Sequence, residues 1–395
     1  MNRPNSFLEV LAAFAKLGVS CFGGPIAHIG YFRDEFVLRR RWIEDTAYAD
    51  LVGLCQFLPG PASSQVAFAL GLSRAGYAGG IAAWVGFTLP SAALLVAFAF
   101  GAPAVASLGA SGAGALHGLK LVAVAIVAQA VVGMTRTLCP DRSRAAIAVG
   151  ASIAVLAGAS SSAQIAAIVL GGVGGLLFCR AEPANLHQVQ SRVSRPIGIV
   201  ALAAFVALLI GLPLARDAVN RPIFDLFAAF YRSGALVFGG GHVVLPLLRE
   251  AVVTPGWVGD DAFLAGYGAA QAVPGPLFTV AAYLGAIATP APGLPGAVTG
   301  LVGIFLPGVL ILLAALPLWE RIRRNADAQA TMRGVNAAVV GLLAAALYDP
   351  IWSTTVHGRA DFALAMLAFV LLTAWRLPPL LVVVATAIGA AVVQA

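Results

Sequence analysis

The stretch FAKLGVSCFGG, residues 14–24, returns with changes as FYRSGALVFGG at residues 230–240. Further along, QFLPGP at 56–61 is matched by QAVPGP at 271–276. The chain is therefore an internal duplication. Both copies keep helix-breaking glycines and prolines inside apolar segments, which in a membrane protein indicates a binding site formed by broken helices.

Composition places the chain among membrane proteins. Of its 395 residues, 60% are hydrophobic and 10% are charged, whereas soluble domains carry about 25% charge. The net charge of +7 comes mostly from short loops, which favours orientation signals over nucleic-acid binding. The four cysteines form no CxxC or Cys/His cluster. This spacing predicts buried hydrophobic side chains rather than a metal site or a disulfide framework.

The apolar runs predict an all-α polytopic fold of about thirteen transmembrane helices, because one span needs about 20 apolar residues. The segment 26–41 is either a loop or a re-entrant helix that enters the membrane and returns. The predicted spans are 7–24, 47–73, 78–101, 114–135, 144–159, 162–180, 196–214, 223–241, 262–288, 293–318, 332–349, 360–375 and 377–394.

The register of the duplication persists over four spans at an offset of 215–217 residues. Equivalent positions include Gly18 and Gly234, Pro90 and Pro307, and Gly118 and Gly334. We expect a first repeat at 1–182 (copy one), a linker with one span at 183–222, and a second repeat at 223–395 (copy two). Equivalent helices are then separated by an odd number of spans, which predicts inverted-topology repeats.

Loop arginines give the expected orientation. More of them fall on the amino-terminal side of the predicted spans than on the opposite side. The positive-inside rule then predicts a cytoplasmic amino terminus and a periplasmic carboxy terminus. The run LRRRW at 38–42 is the main exception, and a re-entrant 26–41 would place it inside. The amino end MNRPNSF leads directly into the first repeat, so no cleavable signal peptide is expected.

The helix breaks are the predicted anion-binding elements. A break exposes backbone N–H groups at the start of the next half-helix, and these donors bind anions together with the helix dipole. Four such starts, each equivalent to about half a unit charge, sum to about +2. The alternative is that the kinks serve packing only. The residues assigned to this site are Gly23, Gly24, Gly60, Ser63, Ser64, Gly239, Gly240, Gly241, His242, Gly275 and Thr279.

Two basic side chains complete the predicted site. Lys16 and Arg232 occupy equivalent positions about two turns into the first span of each copy. A cation near mid-depth costs at least about 2.5–3.5 kcal/mol, so such a pair suits a divalent anion. The alternative is that both side chains extend to an interface. Gln56 and Gln271, which precede the PGP motifs, either donate amide hydrogen bonds to the anion or join helices.

A second group of residues is predicted to act as gates or in a secondary role. The equivalent acidic residues Glu9 and Asp225 form either a second acidic layer or the span boundary. Arg33 and Arg249 form either gates or interfacial salt bridges, and His28 either titrates or is structural. This group consists of Glu9, His28, Arg33, Lys120, Asp225, Arg249 and Asn336.

These motifs resemble the chromate transporter family in its long, two-domain form. The resemblance rests on FGGPIAHIGYFRDEFV at 22–37, WIEDTAYADLVGLCQFLPGPASSQVAFALG at 42–71, FGGGHVVLPLLREAVV at 238–253 and AAQAVPGPLFTVAAYLG at 269–285. It implies a bacterial inner-membrane protein that exports chromate and confers chromate resistance, with sulfate as competitor or counter-anion. Copy two departs from copy one where Gly241 and His242 replace Pro25 and Ile26, which leaves open whether the halves contribute equally.

The leading hypothesis is a secondary anion transporter that works by alternating access, with one repeat moving against the other. No clear carboxylate lies mid-span, which favours export or exchange over ion-driven uptake. The alternatives are a transporter of sulfate or another anion, and an anion channel. An enzyme is not expected, because Ser63 with His28 is the only candidate pair for catalysis. The expected partners are chromate, sulfate, the lipid bilayer and a second copy of the chain in a homodimer, without cofactor or metal.

Overall fold

The computed structural model of the chain describes residues 7–158, 161–180, 193–238, 240–319 and 325–394. These residues form sixteen α-helices and no β-strand. The helices are α1 Phe7–Ser20, α2 Gly24–Phe32, α3 Asp45–Phe57, α4 Ala62–Ala106, α5 Ala110–Leu138, α6 Arg142–Gly158, α7 Ser161–Phe178, α8 Arg195–Val219, α9 Pro222–Ala235, α10 Val244–Val252, α11 Asp260–Ala272, α12 Val280–Ile287, α13 Leu294–Ala315, α14 Ala326–Ala346, α15 Arg359–Thr373 and α16 Pro379–Gln394.

Helix α4 is a helical hairpin rather than one long rod. Ala75 and Gly76 leave helical geometry, with φ of Gly76 at 66°. A Cβ added to Gly71 would collide with the carbonyl oxygen of Gly79. Residues eight apart lie about 12 Å from each other in a continuous helix, so this contact requires the chain to fold back. The turn falls between the predicted spans 47–73 and 78–101.

Among the described residues, five helical segments are long and apolar enough to cross a membrane. Their windows have a mean hydropathy between 1.5 and 2.7. This confirms an all-α membrane protein, but it does not confirm the count of thirteen spans. The five segments are Ala62–Ala106, Ala110–Leu138, Arg195–Arg216, Leu294–Leu318 and Ala326–Trp352.

The chain divides into two compact units, and each unit combines segments from both sequence repeats. Unit 1 contains Met1–Val96, Ala184–Gly241 and Val273–Arg324. Unit 2 contains Ala97–Pro183, His242–Ala272 and Asn325–Ala395. The repeat boundaries at residues 182 and 223 therefore remain a prediction about the sequence, because compactness follows a different division.

Aromatic packing organises the core of unit 1. The rings of Phe14 and Phe36 stack with centroids 4.7 Å apart. Phe32 meets Phe87 of the α4 hairpin edge to face at 5.0 Å. All four side chains are fully buried, and such ring pairs contribute about 0.5–1.5 kcal/mol beyond the burial of apolar area. This core fixes α1 and α2 against α4, beside the chain breaks.

Unit 2 is a bundle in which small residues permit close approach. Helix α5 packs against α11, α15 and α16, and α14 packs against α6 and α7. A Cβ on Gly118 would lie 2.6 Å from the Cα of Ala387. Gly334, the equivalent of Gly118, faces Gly171 just as closely. Backbone contact of this kind is typical of membrane helices that associate through small residues.

Candidate functional site

The double-glycine break of copy one has the predicted form. Helix α1 ends at Ser20, and α2 begins at Gly24 with Pro25 in its first turn. Gly23 caps α2 with a φ of 100°, a left-handed conformation that favours glycine. In copy two, α9 ends at Ala235 and a 3₁₀ turn follows at Gly241–Val243. Gly239 lies outside the described residues.

The PGP motifs also interrupt helices. In copy one, α3 ends at Phe57 and α4 begins at Ala62. In copy two, α11 ends at Ala272, and a 3₁₀ turn at Leu277–Thr279 precedes α12. The break residues 21–24, 58–61, 236–241 and 273–276 all belong to unit 1.

Two hydrogen bonds join the breaks of one copy to those of the other. The Gly60 N–H donates to the Val237 carbonyl at 2.7 Å, and the Gly275 N–H donates to the Cys21 carbonyl at 2.8 Å. Gly60 and Gly275 are equivalent in the repeat, and so are Cys21 and Val237. The bonds are therefore reciprocal, which is the pattern that a two-fold relation between the copies produces.

Close glycine contacts follow the same register. A Cβ on Gly18 would lie 3.0 Å from the Phe87 carbonyl oxygen. One on Gly234, the equivalent of Gly18, would collide with the carbonyl oxygen of Ile304, the equivalent of Phe87. The breaks are thus held in matching settings. Near them, a Cβ on Gly241 would lie 3.1 Å from the Pro25 side chain, so the double-glycine breaks of the two copies are adjacent.

Helix α4 begins among buried polar side chains. Ser63 and Ser64 are both 3% exposed in its first turn. The His28 Nδ1 atom lies 3.4 Å from Ser63 Oγ. The Gln65 Nε2 group donates at 2.9 Å to the carbonyls of both Pro59 and Gly308, and this anchors the turn that leads into the helix. The predicted residues His28, Ser63 and Ser64 are therefore close together.

Thr279 of copy two is engaged differently. It is buried, and its hydroxyl donates to the Pro276 carbonyl at 2.7 Å. Gly275, which directly precedes Pro276, has a φ of 98°. A Cβ at Gly275 would lie 2.8 Å from Ser91 Oγ. Gly60 has a φ of 115°, and a Cβ there would lie 2.9 Å from the Gly308 Cα. Only glycine fits both positions.

The predicted cations occupy equivalent exposed positions. Lys16 on α1 and Arg232 on α9 are both exposed, each two residues after a fully buried phenylalanine, Phe14 or Phe230. Among the described residues, the Arg232 guanidinium makes no ion pair. Neither cation is therefore part of the buried group at α4.

Glu9 and Asp225, the equivalent acidic residues, each have a basic neighbour. Glu9 lies 3.2 Å from Arg74, and Asp225 lies 3.0 Å from Arg216. These salt bridges occupy equivalent positions on α1 and α9. The choice between a span boundary and a second acidic layer stays a prediction.

Arg33 and Arg249 form matching bidentate salt bridges, but with more distant partners than their sequence neighbours. Arg33 donates to Asp45 at 2.6 and 2.8 Å. Arg249 donates to Asp260 at 2.9 and 3.1 Å. Asp45 and Asp260 are equivalent in the repeat. The first pair connects the residue after α2 with the start of α3, and the second connects α10 with the start of α11.

The glutamines before the PGP motifs differ between the copies. Gln56 is exposed at the end of α3, whereas Gln271 is partly buried. Within unit 2, the Gln271 side chain lies beside the Tyr267 hydroxyl, and that hydroxyl lies 2.7 Å from His242 Nδ1. His242 therefore belongs to a side-chain relay rather than standing free.

Lys120 and Asn336 also lie in unit 2. The Lys120 ammonium is 2.7 Å from Asp261, so its charge is already paired. The Asn336 Oδ1 atom is buried and has no hydrogen-bond partner among the described residues. An acceptor oxygen does not attract an anion, and these two positions support the predicted anion site less than the residues of α4 do.

Sequence reasoning missed Thr88. Its side chain is 1% exposed, and its Oγ1 atom has no partner within the described part of the chain. Thr88 precedes Pro90 in the apolar stretch FTLPSA, and a polar residue beside a span proline is the signal that could have identified it. Buried Asp50 and Glu35 were missed as well; Glu35 is paired with Arg39 and Arg40.

Comparison with known proteins follows the duplication. The sequence profile of the family described as Chromate transporter matches twice, at residues 8–176 and 224–392. The chain belongs to the chromate transporter family. It is accordingly a membrane transporter and not an enzyme. Each match covers one of the predicted repeats almost completely, and no solved structure matches the chain.

Similar curated proteins cover nearly the whole chain. A chromate transport protein of Pseudomonas aeruginosa is 32% identical over 98% of this chain and 92% of its own length. A probable chromate transport protein of Synechococcus elongatus is 27% identical over 97% and 95%. A chromate transport protein of Cupriavidus metallidurans is 26% identical over 86% and 81%. The relation therefore extends to both copies.

Proposed function

We propose that this protein exports chromate from the bacterial cytoplasm across the inner membrane, in exchange for sulfate and by alternating access. The names of the three relatives support the substrate. The structural observation that carries the proposal is the reciprocal pair of hydrogen bonds, Gly60 to Val237 and Gly275 to Cys21. They gather the breaks of both copies in one unit, where half-helix starts favour an anion.

Membrane energetics support outward movement of an anion that leaves alone. An inside-negative potential of 100 mV contributes about 2.3 kcal/mol per charge that leaves, so a dianion that exits without a counter-anion gains about 4.6 kcal/mol per 100 mV. One-for-one exchange for sulfate moves no net charge, and the concentration gradients of the two anions set its direction. Exchange for sulfate needs no proton site, and sulfate is a tetrahedral dianion like chromate. Lys16 and Arg232 reduce the cost of bringing that charge towards the breaks.

The alternating-access step needs a refinement. The reciprocal bonds join the breaks of one copy to those of the other, so a simple separation of the two repeats would break both bonds together. We propose that the breaks move as a connected group. Inverted topology, a cytoplasmic amino terminus, a periplasmic carboxy terminus and a homodimer remain parts of the proposal that rest on the sequence.

Efflux from proteoliposomes tests this function. Vesicles that contain the purified full chain are loaded with chromate, sulfate or phosphate, and efflux is followed with and without external sulfate. We expect chromate efflux that external sulfate stimulates, and at least a tenfold loss for Lys16→Ala and for Arg232→Ala. Arg136→Ala, which removes an exposed arginine from the last turn of α5, is the matched control.

Each part of the proposal has its own contradictory result. Wild-type vesicles that retain chromate would contradict chromate transport. Efflux that external sulfate does not stimulate would indicate a channel in place of an exchanger. Normal efflux by both cation variants would contradict their role while leaving the substrate in place.

A further inference from the structure

Three buried side chains in unit 1 hold polar atoms without partners. His28 is 1% exposed, Ser64 is 3% exposed and Thr88 is 1% exposed. Among the described residues, no hydrogen bond reaches His28 Nε2, Ser64 Oγ or Thr88 Oγ1. The Cys21 backbone is a hydrogen-bond neighbour of the His28 ring, while Nε2 itself has no partner among the described residues. A buried polar group left unpaired costs about 1–3 kcal/mol, so three together call for an explanation.

Contacts of His28 with the residues that precede Ser64 and Thr88 place these three side chains in the same part of unit 1. His28 contacts Ser63 through Nδ1 at 3.4 Å and meets the Phe87 ring edge to face at 5.2 Å. Ser63 precedes Ser64, and Phe87 precedes Thr88. The fold-back of the α4 hairpin agrees with this placement. A Cβ on Gly80 would lie 2.9 Å from the Phe68 ring, so the two arms of the hairpin lie side by side. We call His28, Ser63, Ser64 and Thr88 the α4 polar cluster.

The chemistry of the α4 polar cluster suits an oxyanion. Two hydroxyls are free to donate. If Ser63 donates to Nδ1 of His28, the imidazole carries its proton on Nε2 and becomes a third donor. The first N–H groups of α4 lack intrahelical acceptors and lie in the same turn as Ser63 and Ser64. A fully deprotonated tetrahedral anion accepts from every such donor and needs none in return.

Copy two lacks these hydrogen-bond donors at the equivalent positions. Ser63 corresponds to Phe278, and Thr88 corresponds to Phe305. These two phenylalanines are each 2% exposed, and their rings pack with centroids 5.9 Å apart. The hydroxyl of Thr279, the counterpart of Ser64, already donates a hydrogen bond to the Pro276 carbonyl. Aromatic rings and a satisfied hydroxyl therefore occupy the place of the donors.

We propose that the oxyanion binds in copy one alone, at the start of α4, where His28 Nε2, Ser64 Oγ and Thr88 Oγ1 donate to it. The paired rings of Phe278 and Phe305 close the equivalent place in copy two. The inference rests on the proposed function and deepens it, because it assigns the anion to one half of a duplicated architecture. Thr88 thereby becomes a binding residue.

Equilibrium binding to the purified full chain in detergent tests the assignment. Sulfate and chromate are each titrated by calorimetry into the wild type, Ser64→Ala and Thr88→Val. Loss of one hydrogen bond to a charged group predicts a Kd raised about tenfold or more for each variant. Thr386→Val is the matched control, because Thr386 is a buried threonine of α16 whose hydroxyl donates to the Val382 carbonyl at 2.8 Å.

His28 provides a rescue arm. His28→Gln keeps an N–H donor near the position of Nε2 and is expected to bind more tightly than His28→Leu, which has none. Wild-type affinity in folded Ser64→Ala and Thr88→Val would overturn the proposal, and so would equal weakening by Thr386→Val. Chromate efflux by the wild type together with unchanged affinity in these variants would overturn the site and leave the function standing. Weakened sulfate binding in these variants, together with no chromate efflux by the wild type, would overturn the proposed function and leave the site standing.

Discussion

Copy one and copy two form the same breaks in unit 1 but place different side chains beside them. At the start of α4, copy one has serine and threonine hydroxyls with a buried histidine. At the equivalent point, copy two has the ring pair of Phe278 and Phe305. The backbone is thus duplicated while the chemistry is not. The difference teaches that duplication repeats the backbone breaks, whereas the side chains beside them set the chemistry of each copy.

Removal of a ring from copy two gives the largest expected effect. Phe278→Ala leaves a cavity beside Phe305, and truncation of a buried phenylalanine costs about 3–5 kcal/mol of folding stability. Ser63→Ala, the same position in copy one, removes one atom and should cost far less. Thermal unfolding of both variants in detergent checks this. A melting temperature that falls as much for Ser63→Ala as for Phe278→Ala would contradict the proposed difference in packing.

The glycines of the PGP motifs come next. Gly60→Ala forces a side chain into φ of 115°, 2.9 Å from the Gly308 Cα, and strain of this kind costs about 1–3 kcal/mol. Gly275→Ala is expected to be milder, because its closest neighbour is the Ser91 hydroxyl, at 2.8 Å, and a side chain can move more easily than backbone. The yield of monodisperse protein and the melting temperature measure both.

Gly101→Ala is the control for these glycine variants, since a Cβ there meets no atom within 4 Å. It should behave like the wild type. If Gly60→Ala also behaves like the wild type, the backbone contact between the second break of copy one and α13 does not constrain the fold.

Thr279→Val sharpens the contrast between the hydroxyls. The variant keeps the shape of the side chain but removes the bond to the Pro276 carbonyl, which contributes about 0.5–1.5 kcal/mol. We expect a lower melting temperature with a smaller change in sulfate affinity than Thr88→Val produces. An affinity loss in Thr279→Val as large as that in Thr88→Val would show that both copies contact the anion.

The smallest expected effect concerns the salt bridge at α3, outside the predicted spans. The hydrogen bond from Arg33 lowers the pKa of Asp45. A lowered folded-state pKa gives stability that is complete above the unfolded value of about 3.9 and is lost as the pH falls through the folded value. Side chains 46% and 55% exposed keep the contribution small.

The melting temperature of Asp45→Asn, compared with the wild type between pH 6 and pH 3, measures this pair. The wild-type advantage should shrink as the pH falls below about 4. Asp34→Asn is the control, because Asp34 is adjacent to Arg33 but exposed and makes no salt bridge with it in the described structure. An advantage that stays constant down to pH 3 would contradict the role of Asp45.

The sequence predicted the breaks well because glycine and proline act locally. Gly23 permits a left-handed backbone conformation, and Pro61 fixes φ and lacks an N–H donor. The structure has helix boundaries beside both. The all-α membrane class followed from the composition, which is likewise read directly from the sequence. The count of thirteen spans is not confirmed, because only five helical segments among the described residues are long and apolar enough to cross a membrane, and other apolar helices are shorter.

Long-range pairing was beyond the sequence. The bond from Gly60 to Val237 joins residues of different copies, and Arg33 selects Asp45 instead of its neighbour Asp34. Burial was equally hidden: equivalence in the repeat suggested one role for Gln56 and Gln271, yet one is exposed and the other is partly buried. Periodicity and spacing do not report which polar atoms remain without partners, and Thr88 was missed for that reason.

The crossed bonds between the glycine–proline loops and the double-glycine loops have a consequence for ancestry. A protein built from a single repeat would present the amide of its PGP loop and the carbonyl of its FGG loop with no mate inside its own chain. Two such chains, related by a two-fold axis, would satisfy each other twice. An unfused precursor of this architecture would therefore have assembled in pairs before it could offer any passage, and gene fusion would have fixed an exchange that already existed between separate molecules.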